Sequence, residues 1–370
     1  MKLLNYLKIV LLFSLQIAYF PLNAQIKNII PDSIQSHILN ETRRFQVYLP
    51  KEILDKNQKQ THYPVLYVLD GESYLLPISG MMQYLTEANG NRIFPKMIVV
   101  FLYNTNRTRD LTPYPTPESV FLPKVMADQT GGGEKFIQVL EKEIFPYIDA
   151  KYPTSSYRSL IGHSFGGIFA LSVLAKHPHL FEDYLVMDPS LWYDHQIFAQ
   201  KVFQKISKSP LKGKSLYVSI ANTTNEKDIN KVIKNKATFA QHEKSILQFC
   251  QKMRANKTKS IQFSYQYFPN DDHSSVPFIS IYEGLRKVFK NYQLSPYETI
   301  NPHFDPVKRI QEHYEKLAKK IKTPLQVSSE ELEYFIQMSE INQNYKAKDQ
   351  LKSLYQRLYP KEYAEFMPKN

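Results

Sequence analysis

The chain has 370 residues, with 47 Lys and Arg against 35 Asp and Glu, a formal net charge of +12. That length fits one large α/β domain with a small appendage, and the sole cysteine, Cys250, excludes an internal disulfide. Cys250 reads as a buried small hydrophobe, because no glycine-rich turn or histidine accompanies it as a catalytic thiol would need. The positive excess is spread over lysines such as Lys201, Lys205, Lys208, Lys212 and Lys214, with no arginine block. Without a nucleic-acid motif this excludes nucleic acid as the expected partner, and leaves a solvated basic surface open to anionic substrates or envelope lipids.

Residues 1–24 are expected to be a secretory signal peptide. Lys2 and Lys8 precede the apolar stretch Ile9 to Phe20, and Leu22-Asn23-Ala24 offers a small-residue cleavage site before Gln25. Membrane contact is then transient and the protein periplasmic or secreted; an uncleaved anchor is the alternative. No cysteine follows the apolar stretch, which excludes a lipid-anchored start of the bacterial lipoprotein kind.

Strands and helices alternate from about residue 43 to 292, within a main domain expected at 25–295. Strands are expected at Phe45 to Pro50, Tyr63 to Asp70, Met97 to Leu102, Tyr157 to Ile161, Tyr184 to Met187, Ser215 to Ile220 and Ile261 to Phe268. Helices are expected at about Glu134 to Asp149, Ile168 to Ala175, Lys236 to Arg254 and Pro277 to Tyr292. Apolar strands separated by helices imply a mainly parallel sheet covered on both faces, with ligands at the carboxyl ends of the strands. Proline and charge mark a boundary at Pro296 to Pro306. Residues 296–370 read as an all-helical extension: Val307 to Lys322, a helix capped by Ser328 with Glu331 three residues on, and Lys346 to Leu358. Its size and pattern match about one tetratricopeptide-like unit. It either packs on the main domain or docks a protein partner that the sequence does not identify.

Gly162-His163-Ser164-Phe165-Gly166-Gly167 fits Gly-x-Ser-x-Gly, the turn that raises a serine between a strand and a helix. With 11 glycines in 370 residues, both glycines fall at the required offsets from a given serine by chance about once in a thousand. The outer glycines are expected where a side chain would collide with the tight backbone.

Serine is a weak nucleophile at neutral pH and needs a base within hydrogen-bond reach. His273, in the polar loop Asn270 to Ser275 after the last strand, is the expected base. His177 and His179 read as capping or surface residues, with a His-x-His metal pair left open. His242 lies within a helix, and His303 and His313 lie in the tail. The acid that orients the base is expected in the loop after Ser215 to Ile220, with Glu226 first, Asp228 second, and Asp188 after the preceding strand third. Oxyanion donors are expected from the Phe165 N–H and from the turn Gly71-Glu72. Trp192, with Tyr193 beside it, is expected to line the substrate pocket, a packed core tryptophan being the plainer reading. Arg107, Arg109 and Asp110 read as a structural ion-pair turn, with substrate-carboxylate binding as the sharper alternative.

Taken together, Arg44 to Pro50, Tyr63 to Gly71, Asn106 to Pro113, Gly131 to Gly133, Phe145 to Tyr147, the serine turn, Pro189 to Trp192 and Asp271 to His273 resemble the Putative esterase family, the esterase D-like α/β-hydrolases. That family includes siderophore, feruloyl and acetyl esterases and mycolyltransferases. The resemblance covers about Ser33 to Tyr292 and implies an α/β-hydrolase fold, with Ser164 as nucleophile and His273 as base. It also implies that the glycine clusters lie near the site. The expected activity is hydrolysis of a carboxylic ester through an acyl-enzyme, on a small-molecule siderophore or an acylated glycan, with no metal or organic cofactor. Acyl transfer by the same residues, or a binding protein on the hydrolase scaffold, are the alternatives.

Overall fold

The computed structural model describes residues 28–54, 62–256, 260–295 and 305–366, with 297, 301 and 303 between the last two stretches. The expected leader at 1–24 lies outside the described residues, as does much of the boundary at 296–306.

Among the described residues, eight strands form one sheet: β1 (Ile29–Ser36), β2 (Glu41–Tyr48), β3 (Tyr63–Val68), β4 (Ile98–Leu102), β5 (Thr154–His163), β6 (Asp183–Met187), β7 (Ser215–Ala221) and β8 (Gln262–Phe268). Their order is β1-β2-β4-β3-β5-β6-β7-β8. β2 pairs antiparallel with β1 and β4. All other neighbours are parallel. Parallel strands need crossover connections, and here those are helices that cover both faces. β3, β4, β6 and β7 are therefore buried along their whole length.

The two-residue period of a strand divides these side chains between two cores. Val65, Tyr67, Val100, Leu160, Val186 and Val218 pack on one face with four helical segments. These are α2 (Gly133–Val139, continued by a π turn at Leu140–Ile144 into Phe145–Lys151), α3 (Phe165–Lys176), α4 (Ile197–Lys208) and α5 (Gln241–Ala255). Leu66, Val68, Val99, Ile161, Leu185 and Tyr217 pack on the other face, against α1 (Gly71–Thr86) and α6 (Val276–Val288). β1, α1 and α4 were not among the expected elements. Pro77 lies inside α1, where proline removes a helical hydrogen bond and obscures the local pattern.

The C-terminal part is helical: α7 (Pro306–Ile321), α8 (Ser329–Ile341), α9 (Tyr345–Leu358) and α10 (Pro360–Phe366). Ser328 and Glu331 form the expected reciprocal cap at the start of α8. This part has its own small core around Ile310, Phe335, Leu351 and Tyr355, and it is also fastened to the sheet. Ile321 belongs to the core under α1 and α6. The Ser155 hydroxyl donates to the Ile321 carbonyl at 3.0 Å, Thr323 donates to the His62 carbonyl at 3.0 Å, and Arg92 pairs with Glu331 at 2.6 Å. His62, Ser155 and Glu182, the partner of Lys322, sit at the amino ends of β3, β5 and β6, so the helices pack on the edge of the sheet opposite the strand ends that carry Ser164 and His273.

Because Ile321 fills the main core, Ile321→Ala should cost about 2–5 kcal/mol. Calorimetry should show one lowered transition for the whole chain; a separate early transition, with the main one unmoved, would mean the extension is not fastened.

Candidate active site

β5 ends at His163 and α3 begins at Phe165. Ser164 between them has φ 58° and ψ −113°, a left-handed backbone that few non-glycine residues adopt. Gly162 is obligatory there: a Cβ on it would lie 2.1 Å from the Gly166 carbonyl oxygen. Gly167 is equally confined, with Pro189 Cβ at 2.8 Å. Gly166 differs from expectation, since a Cβ there would meet Leu69 at 3.4 Å, an ordinary contact. The Ser164 hydroxyl lies 3.1 Å from Ser190 Oγ. The Phe165 N–H belongs to the first turn of α3, where N–H groups have no partner within the helix.

His273 follows β8, and its Nδ1 lies 2.6 Å from Asp188 Oδ2. Asp188 follows β6 with φ 40° and is fully buried. Its Oδ1 accepts from the Ala221 N–H at 2.9 Å. The same Oδ2 that meets His273 also meets His242 Nε2, at 2.8 Å, from the first turn of α5. Burial by itself raises the pKa of Asp188, but the charge and hydrogen bonds of His242 and His273 outweigh it and hold the carboxyl well below the usual range. Asp188, His242 and His273 are also the group whose ligand atoms, all within 4.8 Å of one another, could hold a cation. The two nitrogen–oxygen separations are those of charge-assisted hydrogen bonds.

Ser164, His242 and His273 open on one cavity of about 420 Å³. Phe121, Phe165, Trp192 and Phe239 give it an aromatic wall, and Arg107 stands at its side. The Arg107 guanidinium binds both oxygens of Asp70, at 2.6 and 3.0 Å, and lies 5.5 Å from the Phe165 ring centre. Such a site can activate a hydroxyl and receive an apolar or aromatic acyl group beside a fixed cation.

Several expected residues stand elsewhere. Glu226 does not meet His273: its Oε1 accepts from the Asp228 N–H at 3.0 Å. Asp228 instead caps a short helix by accepting from the Asn230 N–H at 2.9 Å. The loop after β7 is turned away because Glu243 of α5 binds Thr223 and Thr224 and Asn222 binds the Pro269 carbonyl. The acid on His273 is Asp188, the third choice. Trp192 lines the cavity, whereas Tyr193 is buried in the core with its hydroxyl on the Tyr114 carbonyl. Gly71 and Glu72 do not line the cavity: Gly71 is pressed on β4, where a Cβ would lie 2.5 Å from Phe101 C, and Glu72 Oε1 accepts from the Asn104 N–H at 2.7 Å. Their turn still adjoins the serine turn through Asp70, whose Oδ2 lies 3.5 Å from a Cβ built on Gly166. Arg109 and Asp110 form the expected ion pair at 2.7 Å, but Arg107 leaves it for Asp70. Gly131, Gly132 and Gly133 pack on Pro115, Arg109 and Thr112. His177 and His179 each bind a glutamate, Glu134 and Glu141. By sequence His242 is a helix residue and His163 a variable position of the motif, so neither is marked there as a site residue. The strand-end position of Asp188 was a legible signal, whereas His242 carried none.

His163 is the group with the clearest titration consequence. Its ring centre lies 4.4 Å from that of His273, and its Nε2 is buried with no hydrogen-bond partner among the described residues. Burial, reinforced by His273, lowers its pKa to about 4 against the attraction of Asp188 and Asp70. The unfolded chain takes up a proton near the ordinary value of about 6.5, whereas the native protein resists until about 4. Native stability is therefore full above about pH 6.5 and falls through that window, by up to about 3 kcal/mol. Denaturant unfolding at pH 7.5 and 4.5 should show a smaller acid loss in His163→Phe than in the parent; equal losses would refute this.

The family model for "Putative esterase" matches residues 36–280. The ferri-bacillibactin esterase of Bacillus subtilis is 26% identical over 267 residues, which are 67% of this chain and 85% of that protein. The siderophore triacetylfusarinine C esterase of Aspergillus fumigatus is 26% identical over 298 residues, 71% of this chain and 95% of that one. An IroE-like serine hydrolase from Shewanella oneidensis superposes with a TM-score of 0.74 at 30% identity, covering 89% of this chain and 99% of its own. A match of that extent reaches past the sheet into the C-terminal helices. The chain belongs to the Putative esterase family and is a carboxylic ester hydrolase of α/β-hydrolase fold.

Proposed function

We propose that the chain is an exported serine esterase acting on siderophore-type esters, with Ser164 as nucleophile, His273 as base and Asp188 as the acid that orients it. The observation that carries the triad is the 2.6 Å contact of Asp188 Oδ2 with His273 Nδ1, at the cavity that also holds Ser164. Ionised Asp188 accepts a proton-bearing Nδ1 and leaves the His273 Nε2 lone pair for the serine. In the reaction the Ser164 hydroxyl exchanges Ser190 for that Nε2, gives up its proton and forms the bond to the ester carbonyl carbon. The Phe165 N–H, in the first turn of α3, receives the negative charge on oxygen. His273 then returns the proton to the departing alcohol. Water, deprotonated by the same nitrogen, releases the acid and restores Ser164.

Three features support the substrate class: the siderophore esterases among the relatives, the aromatic wall, and Arg107 with a net charge of +12, which includes Lys2 and Lys8 of the leader, a basic balance that suits an anionic ligand. Export rests on the leader read at residues 1–24. We read the helices α8 and α9, joined by a short loop, as a tetratricopeptide-like unit that supports the sheet edge.

Hydrolysis of a tri-ester catecholate siderophore, followed by release of its monomer acid, should vanish in Ser164→Ala. Asp188→Asn should lower kcat by about 10⁴-fold, the scale set by mispositioning of such a base, whereas Glu226→Gln should leave it unchanged. A loss in Glu226→Gln equal to that in Asp188→Asn would overturn the assignment of the acid. Turnover of simple aryl esters without any of the siderophore would overturn the substrate class alone.

A further inference from the structure

We propose that His242 is a positioning residue for the reaction: its Nε2–H shares Oδ2 of Asp188 with His273 and keeps that acid charged and aimed while His273 cycles between its protonation states. The inference rests on the Ser164–His273–Asp188 reading above.

The two imidazoles differ in how firmly they are held. The His242 side chain is 10% exposed and that of His273 39%, and the rings stand at right angles, 5.1 Å apart. His273 sits in a loop; His242 sits in the first turn of α5, whose next residue, Glu243, holds the loop after β7 through Thr223 and Thr224. One helical turn therefore fixes both the acid and the segment beside it. Asp188 is out of reach of solvent, and besides the imidazoles its partner is the Ala221 N–H. Whenever His273 shifted, a carboxylate without His242 would be left buried and nearly unpaired, a strongly disfavoured state. With His242 in place it keeps a second N–H.

Sharing has a consequence for the base. An ionised carboxylate only accepts, so His242 presents Nε2–H and His273 presents Nδ1–H to one oxygen. Charge spent on His242 is unavailable to the imidazolium that forms on His273. The other groups near this pair are His163, whose ring is tilted against that of His273, Arg107 with Asp70, Glu243, and Asp271 and Asp272 beside His273 in the chain. They stay in place when residue 242 alone is changed.

The test is the pH dependence of kcat/KM for a p-nitrophenyl ester in the full-length protein and three variants, with thermal melting as a check on folding. His242→Phe removes the N–H, and the acid limb should move to higher pH by about 0.5–1 unit, with kcat down about 10-fold or more. His242→Gln places an N–H where Nε2 stood and should restore most of both; His242→Asn, one methylene shorter, should not. If the Phe variant does not fold, the Gln and Asn pair decides the matter. An acid limb unmoved in every folded variant, or identical profiles and rates for Gln and Asn, would overturn the proposal. Activity of the parent protein that survives Ser164→Ala would instead overturn the triad beneath it.

Discussion

Asp188 Oδ2 accepts from two imidazoles in a place closed to water, and the candidate site is organised around that oxygen. Burial alone would favour a neutral acid there. A neutral acid would donate a proton to one ring and lose the tautomer that leaves His273 a free lone pair. The charge and hydrogen bonds of His242 and His273 reverse the balance, while the Ala221 N–H holds the other oxygen. The residues that supply them come from β7, α5 and the loop after β8, so the charge of one side chain ties together three elements far apart in sequence.

Backbone conformation does the rest of the assembly. Asp70, Ser164 and Asp188 end three adjacent strands, β3, β5 and β6, and all three have positive φ, at 55°, 58° and 40°. A non-glycine residue in that region costs of order 1–3 kcal/mol, and the fully buried sheet below holds each turn in place. The result is a row of functional groups along one edge: Asp70 holding Arg107, Ser164 facing the cavity, and Asp188 beneath His273. The C-terminal helices are fastened at the opposite edge, through Ile321, Thr323 and Glu331.

Legibility in the sequence followed the range of the interaction. The serine turn is local, so its glycines announced it, although only Gly162 and Gly167 proved sterically confined. The parallel strands were visible because burial on both faces makes them apolar throughout. The cap at Ser328 is likewise a matter of a few neighbouring residues. The acid is ambiguous in the sequence because Glu226 and Asp188 both follow strands, and which of them meets His273 depends on which way the loop after β7 turns. Thr223, Thr224 and Glu243 decide that, across about 20 residues. His242 was invisible for the same reason: its partner is 54 positions away, and nothing in the spacing of a helix marks it.

The central claim, that Ser164 is the nucleophile of this esterase, is tested most directly by labelling with a fluorophosphonate and locating the adduct by peptide mass. Ser190 is the informative competitor, since its Oγ lies 3.1 Å from that of Ser164. The account predicts one adduct, on Ser164, lost in Ser164→Ala with Ser190 intact. Labelling of Ser190, or no labelling of an actively hydrolysing protein, would contradict it.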